Sequence, residues 1–353
     1  MEKVTWSSAR RIMCVRLDTI GDVLMTGPAL RALRGEGRRV TLMTSPSGAA
    51  IAELMPEVDE LLVYEAPWMK ATPARDAVAD RLLIDSLAAR AFDAAVIFTT
   101  FSQSPLPAAL ACWLAGIPLR LAHCRENPYQ LLSDWVRESD SELNARHEVR
   151  RQLELVATVG SRAGDERLAV TVPAEARERV DALLAEERID RSRPWAVVHP
   201  GATAPSRRYP GEAWSEVCRE LVQGHGLQLV MSADEREREL AEEVRAAANV
   251  PMPVLAGRLD LAGLAALLEA APLLLAGNTG PVHLAAAVGT PVVDLYALTN
   301  PQHTPWQVPN RVLSHDVPCR WCFGSVCREG HHLCLRGVAP QEVVGAALEL
   351  LRD

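Results

Sequence analysis

The fold of the second half of the chain is decided by the stretch Leu273-Leu274-Leu275-Ala276-Gly277-Asn278-Thr279-Gly280-Pro281-Val282-His283-Leu284-Ala285-Ala286-Ala287. Its apolar run predicts a buried strand, Gly-Asn-Thr-Gly predicts a tight turn, and the small residues that follow predict a helix. A helix N-terminus attracts anions because its free amides and its dipole both favour negative charge. The stretch therefore predicts an anion site at the end of a strand, with an ordinary strand-to-helix turn as the alternative.

A similar pattern stands near the N-terminus. Residues 12–17 are apolar apart from one arginine and predict a buried strand, a polar turn follows over 18–22, and an amphipathic helix is expected from about Val23 to Leu33. Asp22 lies where the strand ends and the helix begins, which is the crevice where open α/β sheets bind ligands. Two interpretations remain open for Asp22: a catalytic carboxylate, or a helix cap. Asp18 could also be such a cap.

A third motif runs from His199 to Pro210. A short strand ends at His199 and enters a loop rich in glycine, proline and hydroxyl side chains, which is followed by Arg207 and Arg208. Backbone amides, hydroxyls and guanidinium groups together suit a ligand rich in anionic oxygens, such as a diphosphate. The alternative for the two arginines is a solvated surface pair.

The three motifs in this order resemble glycosyltransferase family 9, the family of the ADP-heptose lipopolysaccharide heptosyltransferases. The matching residues are Arg-Leu-Asp-x-Ile-Gly-Asp-Val-Leu at 16–24, His-Pro-Gly at 199–201 and Asn-Thr-Gly-Pro-Val-His-Leu-Ala-Ala-Ala at 278–287. The resemblance implies a GT-B fold, an α/β architecture of two Rossmann-like domains with parallel sheets facing across a cleft. It also implies a nucleotide-diphosphate sugar donor, inverting transfer, and no required cofactor or catalytic metal.

The resemblance assigns roles to particular residues. Asp22 corresponds to the family's proposed general base, and Arg207 to a cation, usually lysine, that contacts the diphosphate. Glu237 matches best a glutamate on the nucleoside side, with Glu235 close to it and a charged helix start as the alternative. The expected donor-binding residues are His199, Gly201, Thr203, Arg207, Glu237, Asn278, Thr279, Gly280 and His283. The expected acceptor-binding residues are Asp18, Ser102 and Gln103.

Two of these assignments carry further alternatives. His283, one turn into the helix, orients the donor or is a helix-face residue bonded to its own backbone. Ser102 and Gln103 belong to an acceptor-side loop or to an ordinary strand-to-helix loop. The chain also departs from the family at Asn278, where family members usually have an aspartate thought to contact donor sugar hydroxyls. The loss of this charge leaves the sugar open.

Length and charge favour two domains and argue against a nucleic-acid partner. The chain has 353 residues, 48% of them hydrophobic, and a net charge of -8. Its length favours more than one core, and its negative charge argues against a nucleic-acid partner. The residues show no membrane span or secretory signal, so we expect a cytoplasmic protein that could make brief contact with a membrane surface. The predicted domains are 1–165 (acceptor), 166–338 (donor) and 339–353, a terminal helix that packs back towards the first domain.

A cysteine-rich segment precedes that last helix. Its thiols are Cys319, Cys322, Cys327 and Cys334, with His331 and His332 among them. A Cys-x-x-Cys pair can share a tetrahedral metal, so a structural zinc site is one interpretation. Free packed thiols, disulfides or a metal cluster are the others, and we expect no catalytic use.

The sequence thus predicts an inverting glycosyltransferase that moves heptose from ADP-heptose to a glycan hydroxyl such as that of the lipopolysaccharide inner core. Only two of its 37 basic residues are lysines, Lys3 and Lys70, a bias typical of a GC-rich genome. A natural product or another glycan is therefore an alternative acceptor. More distant alternatives are a GT-B epimerase or hydrolase acting on nucleotide sugars, and a non-catalytic binding module.

Overall fold

Each half of the chain forms one parallel β-sheet with crossover helices. The structure is a computed structural model that describes residues 4–35, 37–70, 72–73, 77–138 and 146–352. The chain divides into two units, Met1–Ala169 and Val170–Asp353. The boundary predicted after residue 165 lies in the same loop as this division.

The first unit alternates strands and helices. Its strands are β1 (Arg11–Arg16), β2 (Arg39–Thr44), β3 (Glu60–Val63), β4 (Ala94–Ile97), β5 (Leu119–Cys124) and β6 (Asp134–Arg137). Its helices are α1 (Ile20–Arg34), α2 (Pro46–Ala52), α3 (Val78–Ala89), α4 (Leu106–Leu114) and α5 (Glu148–Ala157). The strand order is β3-β2-β1-β4-β5-β6, and every pairing is parallel.

The second unit repeats this scheme. Its strands are β7 (Trp195–His199), β8 (Gln228–Met231), β9 (Leu274–Gly277), β10 (Val292–Leu295) and β11 (Asn310–Leu313). Its helices are α6 (Ala174–Glu186), α7 (Gly211–Arg219), α8 (Arg238–Ala248), α9 (Leu261–Ala270), α10 (Gly280–Val288), α11 (Leu333–Arg336) and α12 (Pro340–Leu350). The strand order is β11-β10-β9-β7-β8, again with parallel pairings.

Both strand orders contain a point at which the chain reverses its direction of growth. In the first sheet this point lies between β1 and β4, and in the second sheet between β7 and β9. Ligands of open α/β sheets bind outside the carboxyl ends of the strands at such a point. The quoted motifs follow β1, β7 and β9, so each unit presents its motif residues at this position.

Apolar side chains on alternate strand positions form the cores. In the second unit Val198, Leu275 and Val293 share one buried cluster with Trp214 of α7 and Val343 of α12. Helix α12 therefore packs within its own unit, and the expectation that it also reaches the first domain stays a prediction.

Helix α1 begins earlier than the sequence pattern indicated. It starts at Ile20 rather than near Val23, with Thr19 as its N-cap residue. Asp22 therefore lies in the first turn of the helix and is not its cap, so the capping interpretation of Asp22 is wrong. In the described part of the chain, no helix is both long and apolar enough to cross a membrane.

Candidate functional site

The site of the first unit is built around a buried arginine at the end of β1. Arg16 is 0% exposed, and its guanidinium contacts three carboxylates. Nε lies 2.9 Å from Asp18 Oδ2, Nη2 lies 3.1 Å from Asp22 Oδ1, and Nη1 lies 3.0 Å from Glu148 Oε1. Burial alone would lower the pKa of Arg16, but the three carboxylates raise it above its ordinary value. We call these four residues the Arg16 cluster.

Asp22 is the member of the Arg16 cluster that reaches solvent most. Its side chain is 15% exposed, against 8% for Asp18 and 1% for Glu148. Its second oxygen, Oδ2, accepts a hydrogen bond from the Thr19 hydroxyl at 3.1 Å. The carboxylate is therefore fixed through both oxygens and remains accessible to a substrate.

Asp18 joins the cluster to the loop after β4. Its Oδ1 accepts a 2.6 Å hydrogen bond from Gln103 Nε2. Burial raises the pKa of Asp18 to about 6, and this shift persists against the opposing effect of Arg16. Of the two predicted acceptor-loop residues, the structure brings Gln103 to the cluster, whereas Ser102 is exposed and lies beside Thr100.

Helix α5, which the sequence pattern predicts over about 144–159, supports the cluster through residues that were not among the predicted site residues. Arg151 donates to both oxygens of Glu138, at 2.6 and 2.8 Å, and also contacts Glu148 at 3.4 Å. Arg151 Nη1 further donates to the carbonyl oxygen of Thr99 in the loop after β4. One helix thus holds both the cluster and the loop that carries Gln103.

In the second unit, His199, Gly201 and Glu237 come together at the end of β7. His199 Nδ1 lies 3.1 Å from the Ser232 hydroxyl, and Nε2 lies 3.5 Å from Glu237 Oε2. Burial lowers the pKa of His199 to about 4, so the ring is neutral at neutral pH. Burial also raises the pKa of Glu237.

The two glutamates of the acidic loop after β8 differ in their exposure and in their partners. Glu237 completes a capping box with Asp234, yet its side chain is only 14% exposed and faces His199. Glu235 is exposed and pairs with Arg238 at 2.6 Å. The helix-start alternative is therefore part of the structure, and Glu237 is the glutamate that lies at the strand end.

Arg207 lies against the turn after β9. Its Nη1 is 3.5 Å from the carbonyl oxygen of Asn278, and its own carbonyl oxygen lies 2.9 Å from where a Cβ on Gly277 would stand. Ser206 anchors this loop from behind, since its hydroxyl donates to the carbonyl of Gly324 at 2.7 Å and its amide to that of Ser325 at 3.1 Å. Thr203 in the same loop is exposed.

The turn itself takes the predicted form. Thr279 is the N-cap residue of α10, which begins at Gly280, and its hydroxyl donates to the carbonyl of Gly277 at 3.1 Å. His283 is buried in α10 with its ring 6.3 Å from that of His303. Helix α10 therefore begins directly at the end of β9, where Arg207 contacts the carbonyl of Asn278.

Asn278 is engaged within the protein. It is 3% exposed, its Oδ1 accepts from the Ala297 amide at 3.2 Å, and its side chain is hydrogen-bonded to Tyr296. In this structure Asn278 links the ends of β9 and β10, while a contact with donor sugar hydroxyls stays a prediction.

One buried acid was missed by the sequence analysis. Asp294 of β10 is 0% exposed, and among the described residues neither of its carboxyl oxygens has a hydrogen-bond partner. Burial raises its pKa well above the ordinary value, and Arg207 opposes this rise. A single acid within the apolar run at 291–295 was the available signal.

The cysteine-rich segment lies beside this site. Cys319 and Cys334 pack against a small cluster of Tyr296, Leu298 and Val317, and Cys319 Sγ lies 3.8 Å from His331 Nε2. All eight cysteines of the chain are free. Within the described ranges, no three His, Cys, Asp or Glu side chains form a group that could hold a metal ion. The zinc interpretation stays a prediction that elemental analysis of the purified protein tests.

The chain is similar to known heptosyltransferases. The model of the family described as glycosyltransferase family 9 (heptosyltransferase) matches residues 81–333. Lipopolysaccharide heptosyltransferase 2 of Escherichia coli is 25% identical over 95% of this chain and 96% of its own length. Lipooligosaccharide heptosyltransferase 2 of Campylobacter jejuni is 27% identical over 162 residues, 44% of this chain, and there the match spans only 50% of the relative's length.

Solved structures agree with this similarity. A family 9 glycosyl transferase from Veillonella parvula has a TM-score of 0.79 at 20% identity, covering 99% of both chains. The E. coli ADP-heptose lps heptosyltransferase II has a TM-score of 0.73 at 23% identity, covering 97% of this chain and 98% of that one. These likenesses confirm the predicted fold, two Rossmann-like α/β units of the GT-B type.

Proposed function

Because the chain belongs to glycosyltransferase family 9, we propose that it transfers heptose from an ADP-heptose donor to a hydroxyl of a lipopolysaccharide-type acceptor. The observation that carries the proposal is the pair of polar sites at the reversal points of the two sheets. One offers an accessible carboxylate, Asp22, and the other offers a guanidinium beside a helix N-terminus, as sugar transfer from a nucleoside diphosphate requires.

Asp22 acts in this proposal as the general base. Transfer requires a base to take the proton of the acceptor hydroxyl while that oxygen attacks the anomeric carbon. The contact with Arg16 favours the negative charge that a base needs, and the hydrogen bond from Thr19 fixes the orientation of the carboxylate. Gln103, held by Asp18, lies in the loop that we assign to the acceptor.

Arg207, Thr279 and Gly280 bind the departing diphosphate. The leaving group gains negative charge as the sugar–oxygen bond breaks, and preorganised donors stabilise that charge. Arg207 is half-buried beside the turn, and α10 begins at Gly280, directly after its N-cap residue Thr279. A phosphate at a helix N-terminus agrees with both the charge and the hydrogen-bonding capacity of this arrangement.

Glu237 binds the ribose of the nucleoside. Carboxylates at the end of a strand next to a phosphate-binding turn accept hydrogen bonds from ribose hydroxyls. Glu237 is held in such a place by its capping box and by Gly201, beside neutral His199. The other expected donor-binding residues, Thr203, Asn278 and His283, shape the donor site and support its loops.

We further propose that the reaction takes place in the cytoplasm, at the surface of the membrane that holds the acceptor. Eight free thiols are typical of a reducing compartment.

The test is a donor panel with a defined acceptor. Purified protein is incubated with ADP-heptose and lipopolysaccharide truncated before its heptose residues, or bearing the first one, and released ADP is measured alongside the mass of the product. We expect release of ADP only when an acceptor is present, and an acceptor mass increased by one heptose. Use of a UDP- or dTDP-sugar instead would overturn the heptose assignment, and ADP release without acceptor would indicate a hydrolase.

A further inference from the structure

Asp22 shares its cation with a carboxylate from a distant part of the chain. Glu148, the first residue of α5, lies 132 positions after Arg16 in sequence, and their side chains meet at 3.0 Å. Both residues are almost completely buried, whereas the Asp22 side chain is 15% exposed. The guanidinium thus joins a buried acid on one side to an accessible acid on the other.

The charges around Asp22 come from several elements. Besides Asp22, the charged and titratable groups of this network are Arg16 of β1, Asp18 after β1, His123 of β5, Glu138 after β6, Arg146 before α5, and Glu148 and Arg151 of α5. Burial lowers the pKa of His123, which favours the neutral ring. With Asp22 included, the network contains three arginine cations and four carboxylates. Arg16 therefore lies in a network in which carboxylates outnumber cations.

We propose that Glu148 is a positioning residue that raises the strength of Asp22 as a base, because its carboxylate orients the guanidinium that they share and repels the charge of Asp22. This inference rests on the proposed role of Asp22. The guanidinium presents its donors in a rigid fork, so a carboxylate on one side fixes which face remains for Asp22. The negative charge of Glu148 also repels the charge of Asp22, and in a buried network such effects are weakly screened.

Loss of the Glu148 charge removes its repulsion of the Asp22 carboxylate, whereas the attraction of Arg16 remains. Asp22 then holds a negative charge more easily and binds a proton less strongly, so it becomes a weaker base that ionises at lower pH. Gln103 and the loop after β4 keep their contacts with Asp18 and Arg151, so acceptor and donor binding are expected to change little.

The experiment measures the pH dependence of kcat with ADP-heptose in the wild type, Glu148→Gln and Glu138→Gln. The control residue, Glu138, is an equally buried carboxylate that contacts Arg151 but not Arg16. For Glu148→Gln we expect the acidic limb of the profile to move to lower pH by about one unit. Its plateau kcat should fall roughly tenfold, with donor KM within about twofold. For Glu138→Gln we expect an unmoved limb.

The outcomes separate this inference from the proposed function. If Asp22→Asn keeps its activity, the proposed base is wrong. If Asp22→Asn is inactive and the limb of Glu148→Gln does not move, or moves equally in Glu138→Gln, the role of Glu148 is wrong. Should Glu148→Gln fail to fold, Glu148→Asp takes its place, because the shorter side chain moves the carboxylate away from Arg16 by one methylene. The acidic limb of its pH profile should then move in the same direction by a smaller amount. An unmoved limb there also overturns the inference.

Discussion

The carboxylate of Glu237 occupies the space that a side chain at Gly201 would need. A Cβ on Gly201 would stand 2.2 Å from Cδ of Glu237, far inside van der Waals contact. The backbone of the loop after β7 and the acid of the loop after β8 therefore touch directly, and a side chain at position 201 is incompatible with the observed position of Glu237.

Gly201→Ala is expected to displace Glu237 from the strand end and weaken nucleotide binding. The loss of one hydrogen bond to a charged group corresponds to about 1.5–3 kcal/mol, or roughly ten- to a hundredfold in the Kd of ADP. Titration calorimetry measures this. Gly345→Ala is the matched control, because a Cβ there meets no atom within 4 Å. Equal affinities in the two variants would contradict the role of Glu237.

Asp22→Asn is expected to reduce turnover roughly 10²–10⁴-fold, because an amide cannot take the acceptor proton. The Kd of ADP should remain unchanged, since Asp22 and the proposed nucleotide site belong to different units. Asp85→Asn, an exposed change on α3, is the control for turnover. Near-normal turnover in Asp22→Asn would show that another group is the base.

Arg207→Ala is expected to weaken binding of ADP by about 1.5–3 kcal/mol, the range for hydrogen bonds to charged groups. Adenosine, which lacks phosphates, should bind the variant as it binds the wild type. Arg193→Ala, an exposed change before β7, is the control for the loss of an arginine. A loss of adenosine affinity as large as that of ADP would mean that Arg207 supports the loop rather than the diphosphate.

Asp294→Asn is expected to reduce the decrease in the free energy of unfolding that the wild type undergoes as pH rises. The folded-state pKa of Asp294 is raised by burial, so the folded protein binds its proton more tightly than the unfolded chain. The contribution of this group to stability is therefore complete below about pH 4 and declines as pH rises towards the folded-state pKa. Urea unfolding measures the free energy of unfolding of both proteins at pH 5 and pH 8. The value for the variant relative to the wild type should be higher at pH 8 than at pH 5. A pH-independent difference would mean that Asp294 is ionised in the folded protein at both pH values, so that its folded-state pKa is not raised.

Asn278→Asp is expected to lower stability, even if the donor is still used. The amide group that bonds to Tyr296 is lost, and a negative charge is placed at a site that is 3% exposed. The cost of an unsatisfied buried partner is about 1–3 kcal/mol, visible as a lower Tm. An unchanged Tm would show that position 278 tolerates the family's usual aspartate, and donor use by that variant then reports directly on sugar contacts.

The sequence predicted the fold because its motifs mark strand ends. The apolar runs before Asp18, Pro200 and Asn278 are long enough to identify β1, β7 and β9, and these strands border the reversal points of the sheets. The edge strands β6 and β11 were missed, since each has only four residues, none of them fully buried, and lacks an apolar run.

The support of the site could not be predicted in the same way. Glu148 reaches Arg16 across 132 positions, and Ser206 reaches Gly324 across 118. No local spacing encodes such pairs, because each depends on how helices and loops stack on the finished sheets. The charged Arg16 at the end of an apolar strand was the one signal that a buried ion pair had to exist.

The two hydrogen bonds from Ser206 to residues 324 and 325 have a consequence for synthesis on the ribosome. Domains of a nascent chain fold as they emerge, the N-terminal one first, so the Arg16 cluster is complete once α5, which carries Glu148, has left the exit tunnel. The loop of Arg207 gains its anchor only when nearly the whole chain has been made. Ribosome-stalled fragments that end before residue 324 would therefore contain a folded first unit, while the loop of Arg207 would lack the two hydrogen bonds from Ser206.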